Sequence, residues 1–267
     1  MAFVQAGDVR LEYFEAGTGD RAVVLLHGAA SSARIWVAVQ RLLAEAGIRS
    51  TAISLRGAGA SDRGERLEDY APASYARDLA AAVDALGLDR FVLVGHSLGT
   101  LVTRYYLRDH AERVRAAVLI AGPDPGTGPR TPEQMAARNS PASQRPADGR
   151  PAPAWVTHHV GLSEAEREAL WADLVANPPE RALGQAPPWP GLEGLAERLA
   201  LPVMVVLGDA DEVVAPSTPL RGYLELPVER RYVHVFHGVG HYPPATVPDR
   251  LAGVLLRFME AHAGWQR

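Results

Sequence analysis

One short turn constrains the fold of this chain more than any other stretch. Residues 91–100 read FVLVGHSLGT, so an apolar strand-like run passes straight into Gly95-His96-Ser97-Leu98-Gly99 and then into a helical segment. Glycine and serine at alternating positions suit neither a strand nor a helix interior. Between a strand and a helix, such a turn strains the serine backbone and exposes its hydroxyl at a sheet edge. The helix N-terminus that follows favours negative charge beside that hydroxyl.

Strand and helix patterns alternate through the first 123 residues. Buried parallel strands read as continuous apolar runs, and strands that alternate with helices favour a parallel sheet covered on both faces. We therefore predict the α/β fold class, opened by a hairpin around Gly7-Asp8. The predicted strands are residues 2–6, 9–16, 22–26, 51–55, 91–94 and 114–121, and the predicted helices are 34–46, 74–86 and 100–109.

The amino-acid composition of the chain changes after residue 123. Proline, glycine, arginine and serine are frequent up to residue 153, and a helix is then predicted at 163–176, with Ser163 and Glu166 forming a capping box. We expect residues 124–199 to be an inserted cap region over the strand ends, where ligands bind in such sheets. The predicted core is residues 1–123 and 200–267, with later strands at 203–207 and 232–236 and a last helix at 247–262.

Composition excludes several kinds of chemistry. The chain has no cysteine, which removes thiol nucleophiles, disulfides, iron–sulfur clusters and cysteine–zinc sites. It has no lysine either, which removes Schiff-base chemistry and a P-loop lysine. The net charge of −4, without a basic stripe, argues against a nucleic-acid partner. No signal peptide or membrane-spanning run is visible, so we expect a cytoplasmic protein with no membrane partner.

Loops after two late strands offer the partners that Ser97 needs. A serine hydroxyl becomes a strong nucleophile when a base, itself held by a carboxylate, takes its proton. The loop GDADEVVAP contains Asp209 and Asp211, and the loop HGVGHYP contains His241. Asp124 follows the 114–121 strand and is a third candidate for the acid. The chain order Ser, Asp, His is one of the known orders of such a triad.

No metal or cofactor is expected. His237 and His241 are four residues apart, but two glycines separate them, so the helical H-x-x-x-H zinc geometry is not supplied. His158 and His159 have no third ligand at a useful spacing. The histidines within or at the ends of predicted elements are expected to be structural: His110, His234 and His262.

Taken together, these motifs resemble the α/β-hydrolase superfamily, of the small serine esterase, lactonase and haloperoxidase-like type. The resemblance covers nearly the whole chain and rests on VVLLHGAASSARIW, LRGAGASD, VGHSLG, GDADEVVAP and GVGHYPPATVPDRLAGVLLRFM. It implies a mostly parallel eight-stranded sheet flanked by helices, with an inserted cap. It also implies Ser97 as nucleophile, Asp211 as orienting acid, from its spacing to Gly208 and Pro216, and His241 as general base and then acid.

The resemblance also implies an oxyanion hole. Its two backbone N–H groups belong to Leu98, directly after the nucleophile, and Ala29, directly after His27-Gly28, with His27 bracing that loop. The sequence departs from the pattern of this family at Ser54, because relatives often carry Asp before the L-R-G loop that follows. Which residue braces that loop therefore stays open. Haloalkane dehalogenases and epoxide hydrolases of this fold use Asp at the elbow, so Ser97 excludes both.

Tryptophans are the candidates for a substrate pocket. Trp155, Trp171 and Trp189 lie in the predicted cap, and Trp36 follows the predicted oxyanion loop. Each of these side chains is large and apolar, as ligand pockets favour. The alternative for the cap tryptophans is that they pack the cap onto the sheet. Further candidates are Ser32, Met135 and Leu170.

The resulting functional hypothesis is hydrolysis of a carboxylic ester or lactone through an acyl-enzyme, with a small molecule as substrate. One alternative transfers the acyl group to another acceptor, including a peroxide. A second uses the His–Asp pair for lyase or cyclase proton chemistry, and a third is a non-catalytic ligand receptor. Fold alone does not choose among these functions, and the oligomeric state stays open.

Overall fold

The structure is a computed structural model that describes residues 1–29, 31–123 and 152–265. Its centre is an eight-stranded sheet in the order β1-β2-β4-β3-β5-β6-β7-β8. The β1–β2 and β2–β4 pairs are antiparallel, and the other pairs are parallel. The strands are β1 (Ala2–Ala6), β2 (Val9–Ala16), β3 (Ala22–Leu26), β4 (Arg49–Ile53), β5 (Phe91–His96), β6 (Val114–Ile120), β7 (Val203–Gly208) and β8 (Arg231–Phe236).

Helices cover both faces of this sheet because its central strands are apolar on both sides. In β3, Val24 and Leu26 pack into one core cluster, whereas Val23 and Leu25 pack into the other. Alternate side chains of a strand point to opposite faces, which explains the two clusters. Helices α2 (Pro72–Ala85) and α3 (Leu98–His110) cover the first face, and α1 (Val37–Glu45) and α10 (Pro248–His262) cover the second.

The segment between β6 and β7 is helical where the structure describes it. Its helices are α4 (Ala154–Thr157), α5 (Glu164–Ala176), α6 (Pro179–Gly184) and α7 (Leu195–Arg198). The capping box predicted for α5 is present, since Ser163 accepts from the Glu166 N–H and Glu166 accepts from the Ser163 N–H. Residues 124–151, which include Asp124 and Met135, lie outside the described residues.

The predicted fold class is confirmed, including the hairpin and the mostly parallel eight-stranded sheet. Several predicted strand boundaries differ from the structure by one or two residues. The strand predicted at 51–55 is shifted at both ends and runs from Arg49 to Ile53, and the strand predicted at 91–94 continues to His96. Beyond Ile53 the backbone N–H of Ser54 donates to the Glu12 carbonyl, and that of Leu55 donates to His27 Nε2. After Ile53 the backbone therefore bonds to residues that are distant in the sequence, and the local sequence pattern does not predict such contacts.

The remaining helices, α8 (Ser217–Glu225) and α9 (Pro243–Thr246), follow β7 and β8 respectively. The loops that precede them lie at the carboxyl ends of their strands, at the same edge of the sheet as the turn after β5. Within the described ranges, no helix is long and apolar enough to cross a membrane.

Candidate active site

Ser97 sits on a strained turn between β5 and α3. Its backbone has φ 51° and ψ −117°, a region that residues with side chains rarely occupy. The flanking glycines leave room for this turn: a Cβ at Gly95 would lie 2.3 Å from the Gly99 carbonyl oxygen, and one at Gly99 would lie 2.7 Å from the Leu26 carbonyl oxygen. Close backbone approach therefore requires glycine at both positions, as the sequence indicated.

Ser97, His241 and Asp211 form one hydrogen-bonded row. His241 Nε2 lies 3.0 Å from Ser97 Oγ, and His241 Nδ1 lies 2.8 Å from Asp211 Oδ2. A carboxylate only accepts, so Nδ1 carries the proton and Nε2 is free to accept from the serine. His241 and Asp211 are buried, at 5% and 7% exposure, whereas Ser97 is half-buried. The row has the order that transfer of a proton from Ser97 requires.

Asp211 is held as a carboxylate by its hydrogen bonds. Burial alone would raise its pKa, but donation from His241 and from the backbone N–H groups of Val213 and Val214 outweighs burial and lowers the pKa below its ordinary value. Both backbone bonds reach Oδ1 at 2.8 Å, so they fix the carboxylate plane while Oδ2 faces His241. Asp211 thus carries a negative charge beside the imidazole over the whole neutral range.

Asp209, the neighbouring candidate acid, takes part in a different arrangement. Its carboxylate accepts from His237 Nδ1 at 2.8 Å and from the Gly238 N–H at 2.6 Å. The His237 side chain is 97% exposed, so this pair lies on the surface. The structure brings Asp211, and not Asp209, to His241.

His96, which the sequence did not single out, supports His241 from behind. Its Nε2 donates to the His241 carbonyl oxygen at 2.7 Å. Burial, followed by the nearby charge of His241, lowers the pKa of His96 to about 3, so the ring is neutral. Its Nδ1 has no hydrogen-bond partner and is sealed from water. The only sequence signal for this residue is its position inside the G-x-S-x-G turn.

The loop after β3 is braced by His27, as predicted. His27 is completely buried, its Nε2 accepts from the Leu55 N–H at 2.9 Å, and its Nδ1 donates to the Gly28 carbonyl at 2.7 Å. Burial, followed by the charge of Arg181, places the pKa of His27 well below its ordinary value. A neutral ring thereby fixes the peptide group that joins Gly28 to Ala29. Leu98 begins α3, where the first N–H groups have no partner inside the helix.

Ser54 does brace its loop, with help from a residue that the sequence analysis missed. Ser54 Oγ accepts from the Ala33 N–H at 3.0 Å and donates to Glu12 Oε2 at 2.8 Å. The Glu12 side chain is completely buried and also lies 3.7 Å from the guanidinium of Arg34. Glu12 therefore supplies, through Ser54, a buried carboxylate that anchors this loop.

The four predicted pocket tryptophans occupy different environments. Trp155 stacks on Tyr242, the residue after His241, with ring centroids 4.2 Å apart and an interplanar angle of 11°. Trp36 is completely buried in the core on the α1 face of the sheet. Trp171 packs against a small hydrophobic cluster around Leu170, in the segment between β6 and β7. Trp189 packs against the core on the α2–α3 face, and its Nε1 donates to the Gln185 carbonyl. Trp155 is thus the one of the four with a described contact beside the hydrogen-bonded row.

No group of three His, Asp or Glu side chains in the described part of the chain is arranged to hold a metal ion. His159 instead contacts the Val160 and Ile35 carbonyl oxygens. The rings of His110, His234 and His262 pack against Tyr106, Phe236 and Tyr232, respectively.

Comparison with known proteins agrees with this fold. A family model described as alpha/beta hydrolase fold matches residues 21–246. The chain belongs to the α/β-hydrolase family. A putative non-heme chloroperoxidase of Synechocystis is 27% identical over 274 residues, which cover 94% of this chain and 95% of that protein. The esterase RhEst1 of Rhodococcus superposes with a TM-score of 0.76 and 26% identity, over 97% of this chain and 98% of that one.

A more local match is found with epoxide hydrolase A of Mycobacterium tuberculosis. It is 36% identical over 121 residues, which make up 45% of this chain and 38% of that protein. The chain therefore matches less than half the length of this relative. The relatives of this chain thus include epoxide hydrolases, haloperoxidases and esterases.

Proposed function

We propose that this α/β-hydrolase cleaves a carboxylic ester or lactone through an acyl-enzyme formed on Ser97. The observation that carries the proposal is the continuous row from Ser97 Oγ through His241 to Asp211, at 3.0 and 2.8 Å, on the strained turn after β5. In this proposal the three residues are the catalytic triad. No other described acid approaches His241.

In the first step Ser97 Oγ forms a bond to the carbonyl carbon of the substrate. Its proton passes to His241 Nε2, and the carbonyl π electrons become an oxyanion. The backbone N–H groups of Leu98 and Ala29 are the proposed donors to that oxyanion. The Asp211 carboxylate stabilises the imidazolium that forms, since it remains ionised at neutral pH.

In the second step the tetrahedral intermediate collapses. The bond to the leaving alkoxide breaks, and His241 Nε2 returns the proton to it, which leaves the acyl group on Ser97. Water then repeats the sequence: it loses a proton to His241 Nε2 and attacks the acyl carbon. The bond from that carbon to Ser97 Oγ breaks, the carboxylic acid leaves, and His241 returns the proton to Ser97 Oγ. His96 and His27 take no proton in these steps, because burial keeps both rings neutral.

The elbow residue argues against epoxide hydrolysis, despite the local match to epoxide hydrolase A. Opening an epoxide in that way needs a carboxylate nucleophile, whereas this turn presents the hydroxyl of Ser97. The second candidate function is perhydrolysis, in which hydrogen peroxide replaces water as the acceptor and a peracid leaves. The match to a putative non-heme chloroperoxidase over 94% of the chain favours that candidate over the remaining alternatives.

The substrate side of the proposal rests on apolar groups near His241. Trp155 stacks on Tyr242, and the Tyr242 ring packs edge-on against His241 at 5.0 Å between centroids. This aromatic pair is a wall that an apolar part of a small-molecule ester would contact. The other three tryptophans are weaker candidates because their described contacts lie elsewhere. Trp36 contacts the core, Trp171 contacts the cluster around Leu170, and Trp189 binds the Gln185 carbonyl.

The test is covalent labelling of Ser97 with a fluorophosphonate, read as the intact mass. We expect one phosphonyl group on the parent protein and none on Ser97→Ala. Ser74→Ala is the matched control, because Ser74 Oγ is also a buried hydroxyl and donates to the Glu68 carbonyl oxygen at 2.6 Å. This variant is expected to label like the parent. Ester, lactone and peroxide-acceptor panels then separate hydrolysis from perhydrolysis. An unlabelled but folded parent would refute the acyl-enzyme.

A further inference from the structure

Arg181 is a buried cation in the inserted segment that reaches the loop after β3. It lies on α6 and is 2% exposed. Its Nη1 donates to the Ala29 carbonyl oxygen at 2.8 Å and to Asn177 Oδ1 at 2.9 Å, and its Nε donates to the Tyr75 hydroxyl at 3.3 Å. Its Nη2 is buried and has no hydrogen-bond partner.

All of these partners are neutral. Asn177 and Ala29 offer amide oxygens, and burial raises the pKa of Tyr75, so its phenol keeps the proton. Arg181 forms no ion pair with a carboxylate anywhere in residues 1–29, 31–123 and 152–265. A guanidinium keeps its charge in proteins. Burial of an unpaired charge is unfavourable, so folding alone gives no reason for an arginine at this position.

Arg56, the second arginine that is buried among the described residues, shows the contrast. Arg56 donates through Nε and Nη2 to both oxygens of Asp78, at 2.9 and 2.7 Å. Its charge is therefore compensated in the resting protein, as is usual for a buried arginine. Arg181 has the same side chain without that partner, and its shown contact is with the carbonyl of Ala29, the residue whose N–H is a proposed oxyanion donor.

The contact with Ala29 acts on a peptide group next to the proposed oxyanion donor. His27 holds the Gly28 carbonyl at 2.7 Å, and Arg181 holds the Ala29 carbonyl at 2.8 Å. These two carbonyls belong to the peptide groups on either side of the Ala29 Cα atom. Because both peptide planes are restrained, the direction of the Ala29 N–H is restrained as well.

We propose that Arg181 is a positioning residue of the oxyanion hole: it fixes the Ala29 peptide, and its uncompensated charge stabilises the oxyanion as that forms. The proposal rests on the acyl-enzyme function proposed above. Electrostatic stabilisation of this kind needs a charge that is already oriented and shielded from water, as Arg181 is. The charge of Arg181 also reaches the loop, since it is the second cause, after burial, of the low pKa of His27.

A consequence is that docking of the inserted segment completes the oxyanion hole. Arg181 comes from α6, 152 residues after Ala29, and it is held on its own side by Asn177, four residues before it. A second link between the same segment and the core avoids Ala29. It joins Asp173 on α5 to Ser32 Oγ at 2.6 Å and to Arg34 Nε at 2.9 Å. This second link supplies a matched control.

The experiment measures binding of an aryl trifluoromethyl ketone. Ser97 Oγ adds to the ketone carbon, the serine proton goes to His241 Nε2, and the former carbonyl oxygen becomes an oxyanion in the hole. For Arg181→Met we expect about 10- to 100-fold weaker inhibition and a similar fall in kcat, with KM changed less than about twofold, since one direct oxyanion donor is worth about 100- to 1,000-fold. Arg181→Lys, which keeps the charge, should recover part of both losses.

Asp173→Ala controls for docking of the segment. It removes the oxygen that accepts from Ser32 and Arg34, and it should leave ketone affinity within about twofold of the parent. Equal losses in Asp173→Ala and Arg181→Met would overturn the proposal, since docking alone would then explain them. Unchanged ketone affinity in a folded Arg181→Met would also overturn it. If Arg181→Met does not fold, Arg181→Lys tests the proposal instead. The proposal predicts an intermediate ketone affinity for this variant, so a folded Arg181→Lys with full parental affinity or with no binding would contradict it.

The two proposals fail in different ways. A parent protein that neither binds the ketone nor takes up a fluorophosphonate removes the acyl-enzyme function. A parent that does both, with Arg181 variants that match it, removes only the role of Arg181.

Discussion

His96 donates a hydrogen bond from Nε2 to the backbone carbonyl oxygen of His241 at 2.7 Å, so one buried histidine holds the other in place. The rings lie 5.1 Å apart, and the supporting ring stays neutral because burial lowers its pKa to about 3. The contact ties the turn after β5 to the loop after β8. It restrains His241, which accepts the serine proton in the proposed function, and His96 itself takes no part in that proton transfer.

The low pKa of His96 predicts that the protein loses stability in mild acid. Between its ordinary value of 6.5 and about 3, the unfolded chain binds a proton at His96 that the folded protein does not. The contribution of His96 to the free energy of unfolding is therefore complete above pH 6.5, and the free energy of unfolding falls by about 2 kcal/mol by pH 5. His27 adds a loss of the same sign. Urea unfolding at pH 7, 6 and 5 measures the effect.

The matched variant for that experiment is His96→Gln, which keeps an N–H donor but has no group that titrates in this range. It should lose distinctly less stability than the parent between pH 7 and pH 5. A parent with a flat profile, or a variant as steep as the parent, would show that His96 is not the source.

Replacement of Asp211 by Asn is predicted to abolish most activity without unfolding the protein. The side-chain oxygen of Asn can still accept from the N–H groups of Val213 and Val214, which donate to Asp211 Oδ1 at 2.8 Å. The side-chain amide, however, favours the wrong His241 tautomer, and kcat should fall about 1,000- to 10,000-fold. Steady-state kinetics on an ester measures this, with thermal unfolding as the check on folding.

Asp209→Asn is the control for Asp211→Asn, because Asp209 is the rival acid and its described partners are His237 and Gly238. We expect kcat within about twofold of the parent. A large loss in Asp209→Asn together with a small loss in Asp211→Asn would reverse the assignment of the acid.

The parts of the site that the sequence predicted are those carried by local patterns. Gly95 and Gly99 flank the serine because the backbones touch there, and this requirement is visible as G-x-S-x-G in five consecutive residues. The strands of the sheet centre are continuous apolar runs, so their order along the chain indicated the fold class. The capping box of Ser163 and Glu166, which spans four residues, likewise predicted the start of α5.

Contacts between distant segments were not predictable in the same way. Arg181 and Ala29 are 152 residues apart, and the local sequence around Arg181 does not indicate that its guanidinium is buried. Glu12 is a second case: in β2 it follows the buried Leu11, so alternation predicts an exposed side chain. It is buried because the loop after β4 folds over it, with Ser61 Oγ bound to the Glu12 N–H and the Ala60 N–H bound to its carboxylate.

The Glu12–Ser54 pair makes a stability prediction. Ser54→Asp would place a second carboxylate beside the buried Glu12, whose Oε2 now accepts from Ser54 at 2.8 Å. Two like charges at one buried site are unfavourable, so we expect a loss of about 2–4 kcal/mol in the free energy of unfolding. The double variant Glu12→Gln/Ser54→Asp has one carboxylate again and should regain more than half of the loss. Additive losses in the double variant would contradict this coupling.

The strained backbone of Ser97 predicts an inverse relation between stability and function at this position. With φ 51° and ψ −117°, a side chain at residue 97 costs about 1–3 kcal/mol, and glycine accepts this region freely. Ser97→Ala keeps the strain, whereas Ser97→Gly removes it and gives back about 0.5–1 kcal/mol through the greater entropy of the unfolded chain. Both variants lack the hydroxyl and are expected to be inactive, so activity does not bias the comparison. Urea unfolding should show Ser97→Gly to be about 1 kcal/mol more stable than Ser97→Ala. If Ser97→Ala is instead the more stable of the two, the turn is not strained, and the hydroxyl is presented without a conformational cost.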